Sequence, residues 1–386
     1  MNQISIAPPA TTPLPHTDGP QTFNNDLLVN DADQAWAKRI YPDLASFLVF
    51  PALHAVFLPY DRDANAAKKK GWRFGCVAIV LGLFALLAAS AAPLLHGKIP
   101  DWFEHALAVG AAIAGILGVF LAFFGGLHSG AKRAWLLNRL MTERLRQFQL
   151  QSLALHAADI ARAMGDTDRM RGLLERRLRW FEAFRQRYEG HLPARLAAVL
   201  GDETGGEIWA LDRPSADAAP LAPAEAANLE RVFDAYRRLR FEHQIGYCDY
   251  KLRHTDGVTV KAPRSLAAAF GIAAFVCIGG TLLVHVAVAG VVAAGILKNI
   301  EPFLHLAAVW LALFALGIRA FEEGLRPRHE VERYLRYRAD MKKLRDRFLA
   351  APDVAGKLAA MHEAEEVSYE EMRDFLRTHQ EALFVL

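Results

Sequence analysis

Long uncharged apolar runs alternate along this chain with charged stretches whose apolar residues recur every three or four positions. Phe74 to Leu95 carries no charged side chain between Arg73 and His96, and Ala106 to Leu127 carries none between His105 and His128. Each run holds about 22 residues, which at a helical rise of about 1.5 Å crosses the roughly 30 Å hydrocarbon core of a bilayer. Ser265 to Leu297 is a third uncharged run and Pro302 to Ile318 a shorter fourth. The pattern predicts four spans in two hairpins. The third run holds about 33 residues, more than one ordinary span takes. Its membrane part is placed near Leu266 to Val286, with Ala287 to Leu297 as a far-side end or a dipping turn. The competing reading, buried core helices of a soluble protein, would have to pack four such runs inside one domain.

Between and around the spans the helical period dominates, and no period-two strand run occurs. Leu44 to Leu58 is apolar but cut by Pro51 and bounded by Pro42 and Pro59, so it should lie at the interface or against the bundle. Ala131 to Gly165 carries Leu136, Leu137, Leu140, Met141, Leu145 and Phe148 at three- and four-residue spacing and is expected to extend span two directly. Thr167 is read as the cap of a helix with the stripe Met170, Leu173, Leu174, Leu178, Phe181, Phe184 and Tyr188. A third helix from about Glu225 carries Leu229, Val232, Phe233, Tyr236 and Leu239. After Pro327, the positions Tyr334, Tyr337, Met341, Leu344 and Phe348 alternate by three and four as a coiled-coil-like seam. Asp353 then starts a last helix.

The fold class is therefore an all-α membrane protein: four transmembrane helices in two hairpins, a helical cytosolic module and a C-terminal coiled segment. The expected divisions are a disordered lead-in over 1–36, an interfacial helix and first hairpin over 37–130, and the module over 131–264. The second hairpin follows over 265–321 and C-terminal helices over 322–386. One layout, an amphipathic lead, two spans and a basic helix, recurs at about 44–165 and 225–350 without residue identity.

Charge sets the orientation. Lys68, Lys69, Lys70 and Arg73 precede span one, Lys132 and Arg133 follow span two, Lys261 and Arg264 precede span three, and Arg319, Arg326 and Arg328 follow span four. The hairpin tips offer only Lys98 and Lys298, so the positive-inside rule places both termini and the module in the cytoplasm. With 53% hydrophobic and 23% charged residues and a net charge of +3, the composition points away from nucleic acid as a partner. Three cysteines without CxxC or Cys/His spacing support neither a disulfide framework nor a zinc site.

No phosphate-loop, dinucleotide-binding, nucleophile-elbow or zinc-protease motif occurs, and "GDETGGE" reads as a turn. The chain is expected to be no enzyme and to use no cofactor. Arg176, Arg177 and Arg179 form a cluster able to clamp an anionic nucleotide, although a solvated or lipid-facing basic face explains the same residues. The spans hold no central Asp, Glu, Lys or Arg, which argues against an ion-coupled transporter. Thr281, His285 and His305 are their polar exceptions and the candidates for a pore lining or gate. Ala114 with Gly118, and Gly126 with Gly130, match the small-residue spacing of close helix contacts.

At "TERLRQFQLQ" (Thr142 to Gln151), "RFEHQIGYCDYKL" (Arg240 to Leu252) and "RDFLRTHQEALFVL" (Arg373 to Leu386), the chain resembles bacterial SLATT-type proteins, the SMODS- and SLOG-associating two-transmembrane effectors. The resemblance implies a two-span hairpin with a long cytosolic helix, acting as a membrane-disrupting effector when a neighbouring component makes or senses a nucleotide-derived signal. This chain departs from it in having two hairpins and no SLOG or nucleotidyltransferase domain. The expected function is an oligomeric effector that opens a pore or perturbs the bilayer. Its expected partners are further copies of itself, a sensor or signal-producing protein encoded nearby, and anionic lipid head groups. A non-conducting anchor or scaffold, and a small-solute transporter, are the alternatives.

Overall fold

The computed structural model describes residues 24–123, 130–201, 208–212, 221–254, 262–293 and 300–382. These are helices joined by turns, with no strand among the described residues. Two short helices, α1 (Asp31–Ile40) and α2 (Ala45–Leu48), lead into α3 (Pro51–Leu95), and α4 (Asp101–Phe120) returns. A helical module follows: α5 (Ala131–Leu155), α6 (Ala157–Ala163), α7 (Thr167–Tyr188), α8 (Leu192–Leu200), α9 (Pro223–Tyr236) and α10 (His243–Arg253). Then come α11 (Pro263–Ala293), α12 (Glu301–Leu325), α13 (Pro327–Ala350) and α14 (Val354–Glu381).

Four helices are long and apolar enough to cross a membrane, within Ala45–Leu95, Asp101–Phe123, Pro263–Val292 and Glu301–Ala350. The chain is thus read as a multi-pass membrane protein. In these helices large side chains point outward, with Ile116, Phe275 and Leu283 about 70% exposed, as a lipid solvent allows. Small residues make the contacts. Ala111, Ala114 and Gly118 of α4 are buried, and α4 packs on α3. A Cβ at Gly118 would lie 3.2 Å from the Gly82 nitrogen and 3.3 Å from the Ala78 oxygen, so the Ala114 and Gly118 pair does serve close helix approach. α12 packs on both α11 and α3, where Trp310 Nε1 donates to Ser90 Oγ at 3.0 Å.

Several details differ from the sequence reading. The helix that carries span one begins well before Phe74: α3 is one helix of 45 residues, about 67 Å long. Pro51 sits at its first turn, where a missing N–H costs nothing, and Leu53 and Phe57, both fully buried, hold it through Pro59. Conversely, α5 starts afresh at Gly130, whose φ of 60° breaks any straight continuation from α4. α11 stays helical to Ala293, without a dip over Ala287 to Ala293. The lead-in is ordered from Asn24, because Leu27, Leu28 and Trp36 are buried and Asn30 caps α1. Asp166, not Thr167, caps α7, accepting from the N–H groups of Asp168 and Arg169 at 3.0 Å. Residues 1–23, most of "GDETGGE" and of the following linker, Gly126, Lys261 and Lys298 lie outside the described residues.

The module's core is built from the predicted stripes. Phe148 of α5 meets Phe181 and Phe184 of α7, ring centroids 5.3 Å apart in each case, and Phe50 at 6.3 Å. α9 and α10 are joined by a π-helical segment, Arg237–Glu242. Its wider turn lets four consecutive residues, Arg238, Leu239, Arg240 and Phe241, all be buried. Arg240 is thereby carried inward to Glu365 of α14. The seam on α13 faces α14 and α10 of the same chain, with Met341 0% and Leu344 2% exposed. It is an intramolecular contact.

Candidate functional site

Where the spans meet the module, six helices line a cavity of about 270 Å³. α3 contributes Asp61, Ala64 and Lys68, one face of the two turns beneath its apolar part. α5 contributes Trp135, Arg139, Glu143 and Arg146, and α10 contributes His243, Tyr247 and Lys251. Glu330, Arg333 and Tyr334 come from α13, and Glu371, Phe375 and His379 from α14. Pro263 and Leu266, the first turn of α11, close the side toward the spans.

The wall is a lattice of alternating charge. Arg139 Nη2 lies 2.6 Å from Glu143 Oε1, and Arg146 binds Glu143 at 2.9 Å and Asp26 at 2.8 Å. Arg333 pairs with Glu330 at 2.7 Å and with Glu371. Its guanidinium also stacks 4.4 Å from the Tyr334 ring and 4.8 Å from the Phe375 ring. Burial would raise the acids, but Arg139 and Arg146 hold Glu143 at about 2, and Arg333 holds Glu330 at about 2. Burial raises Glu371 despite Arg333. His379 is pushed down to about 4 by burial, although Glu330 lies 3.7 Å from it and its Nδ1 is 2.8 Å from the Phe375 carbonyl oxygen. The cavity therefore offers fixed charges of both signs and aromatic side chains, with Lys68 and Lys251 also in its lining.

A neutral buried His379 makes a test of this geometry. Its folded-state pKa lies below the ordinary value near 6.5, so the unfolded chain binds more protons between about pH 6.5 and pH 4. The stability it confers is present above pH 6.5 and lost on acidification through that window, by up to about 3 kcal/mol. Thermal melts of the parent and His379→Gln from pH 7.5 to 4.5 should show a steeper loss for the parent. Parallel curves would mean that His379 is not held neutral.

The anticipated residues are elsewhere. Arg177 is fully buried beneath α2, donating to the Phe47 carbonyl and to Gln149 Oε1 at 2.5 Å, with the Phe47 and Phe50 rings at 4.0 and 4.3 Å. Burial pushes it down to about 9. It shares the spacing of Met170, Leu173, Phe181 and Phe184, whereas Arg176 and Arg179 are exposed, so the three do not form a clamp. Leu178, assigned to the stripe, is 41% exposed. Thr281 Oγ1 donates to the Cys277 carbonyl at 2.8 Å, and His285 Nδ1 lies 2.8 Å from the Thr281 carbonyl. His305 pairs with Glu301 at 3.6 Å. Both histidines are exposed on the outside of a single copy.

Sequence reasoning missed the cavity, yet the signal was present. The segments quoted for the family resemblance supply Glu143 and Arg146, then His243, Tyr247 and Lys251, then Phe375 and His379. Each interrupts an apolar stripe with charge. No family model, no curated protein and no solved structure matches the chain.

Proposed function

We propose that this chain is an oligomeric inner-membrane effector, two hairpins with both tips outside, whose module responds to a cytosolic signal by opening a pore or perturbing the bilayer. The observation that carries this reading is α3. One uninterrupted helix places Leu53 and Phe57 in the module's aromatic core and Ala78, Ala88 and Ala91 in the span contacts, so a displacement at either end is transmitted to the other. The charge asymmetry beside the spans supports the orientation, and the resemblance to SLATT-type effectors supports the class. Close Ala and Gly contacts fill the space between α3 and α4, so a conducting path forms between copies. Thr281, His285 and His305 would line it there.

Reporter fusions at Gly97 are expected to read as outside and at Gly201 as cytoplasmic. Induction should leak potassium and arrest growth. Normal growth and potassium retention, with the protein abundant in the membrane, would replace the pore by a scaffold that recruits a partner.

A further inference from the structure

We propose that the module carries a peptide-binding groove, filled in this structure by the chain's own residues 208–211, and that the cytosolic signal is a partner protein's peptide taking their place. The partner's segment is non-helical and repeats the chemistry of the resident one: an aliphatic residue, an aromatic, a small residue and a leucine. Binding stands apart from conduction; its consequence for the spans rests on the function proposed above. Three observations carry it.

The first is how the backbone is read. Gln151 of α5 is 0% exposed, and its side-chain amide grips two peptide groups at once. Nε2 donates to the Ile208 carbonyl at 3.0 Å, and Oε1 accepts from the Ala210 N–H at 2.7 Å. Arg144, also 0% exposed, donates to the same Ile208 carbonyl at 3.1 Å. Burying an amide and a guanidinium costs free energy unless they meet polar partners. In this groove those partners include main-chain groups, which every peptide carries.

Side-chain seats are the second. Ile208 packs on the cluster of Leu196, Val199 and Tyr369, while Trp209, Ala210 and Leu211 pack on that of Phe148, Phe181 and Tyr188. Ala210 and Leu211 are buried, and the Trp209 ring stands edge-on to His362 of α14 at 5.5 Å. These seats set the order of side chains that a replacement must bring. Ile208 and Trp209 are only half-buried, which leaves the outer side of the segment open to an incoming chain.

The third is placement. α3 is held in the same two clusters, Leu53 and Phe57 in one and Ala64 in the other. Residues 208–211 thus bridge two sites at which the module grips the helix that runs on into span one. A partner's peptide in the groove acts on both at once.

The test is fluorescence anisotropy of a labelled peptide of residues 207–213, titrated with the purified full chain in detergent. The tethered segment competes at high effective concentration, so the parent should bind the peptide weakly. Trp209→Ala with Leu211→Ala weakens the resident segment and should bind it at least about tenfold more tightly. Adding Gln151→Leu to that variant should undo the gain, whereas adding Arg176→Glu with Arg179→Glu, exposed on α7, should not. A peptide with serine in place of the tryptophan and leucine should not bind. If the loosened variant melts early, a peptide with benzoylphenylalanine at the tryptophan position is photocrosslinked to the parent, and the adduct is expected at or beside His362. Equal binding by the parent and the loosened variant, binding that survives Gln151→Leu, binding of the serine peptide, or a crosslink that is absent or falls away from His362 would overturn the proposal. Because binding is read without flux, a failed pore leaves this result standing, and a failed peptide leaves the pore to another signal.

Discussion

Glu365→Ala is expected to destabilise the module by about 3–5 kcal/mol, the range for removing one partner of a buried ion pair. Glu365 is 0% exposed and Arg240 2%. Arg240 Nε and Nη2 donate to the two carboxylate oxygens at 2.9 and 2.8 Å, and the Tyr236 hydroxyl donates to Oε1 at 2.7 Å. Without the carboxylate, the buried guanidinium of Arg240 loses both of these partners, while the Tyr236 phenol keeps only the Met361 carbonyl oxygen at 3.1 Å. Thermal melting of purified protein should show the loss. The double variant Arg240→Met with Glu365→Leu should recover much of it, because the desolvation penalty leaves with the charges. A melting temperature unmoved by Glu365→Ala would mean that the π-helical segment does not carry Arg240 into the core.

Met341→Asp with Leu344→Asp should release the C-terminal helices and leave a protease-sensitive tail. Each substitution puts a carboxylate among apolar side chains, and the pair should cost at least about 4 kcal/mol. The neighbours are Phe348, packed edge-on to Phe233 at 5.8 Å and tilted to Phe241 at 5.5 Å. Limited proteolysis reads the outcome, and light scattering reads the mass in parallel. A protected tail with a smaller assembly would instead make the seam a contact between copies.

The spans were legible because hydropathy over a bilayer's thickness needs no knowledge of partners. The stripes were legible too, but an amphipathic face states that it is buried and not against what. For this reason the α13 seam read equally well as a contact between chains. Arg177 was misplaced by its neighbours: composition groups it with Arg176 and Arg179, whereas spacing puts it on the buried face with Leu173 and Phe181. The length of α3 was hidden because Pro51 and Pro59 read as interruptions. The cavity was out of reach for a different reason. Its charges are spread over five helices, and only tertiary packing brings Glu143, Arg333 and His379 to one wall.

The central claim is that α3 couples the module to the membrane path. Its most direct test is the membrane potential of bacteria expressing the full chain, beside a variant with Gly-Gly-Gly inserted after Lys70. The insertion interrupts α3 between its module half and its span half. The parent is expected to collapse the potential, and the insertion variant, present in the membrane at equal abundance, to leave it intact. A potential undisturbed by the parent, or a collapse equally deep with the insertion, would contradict the account.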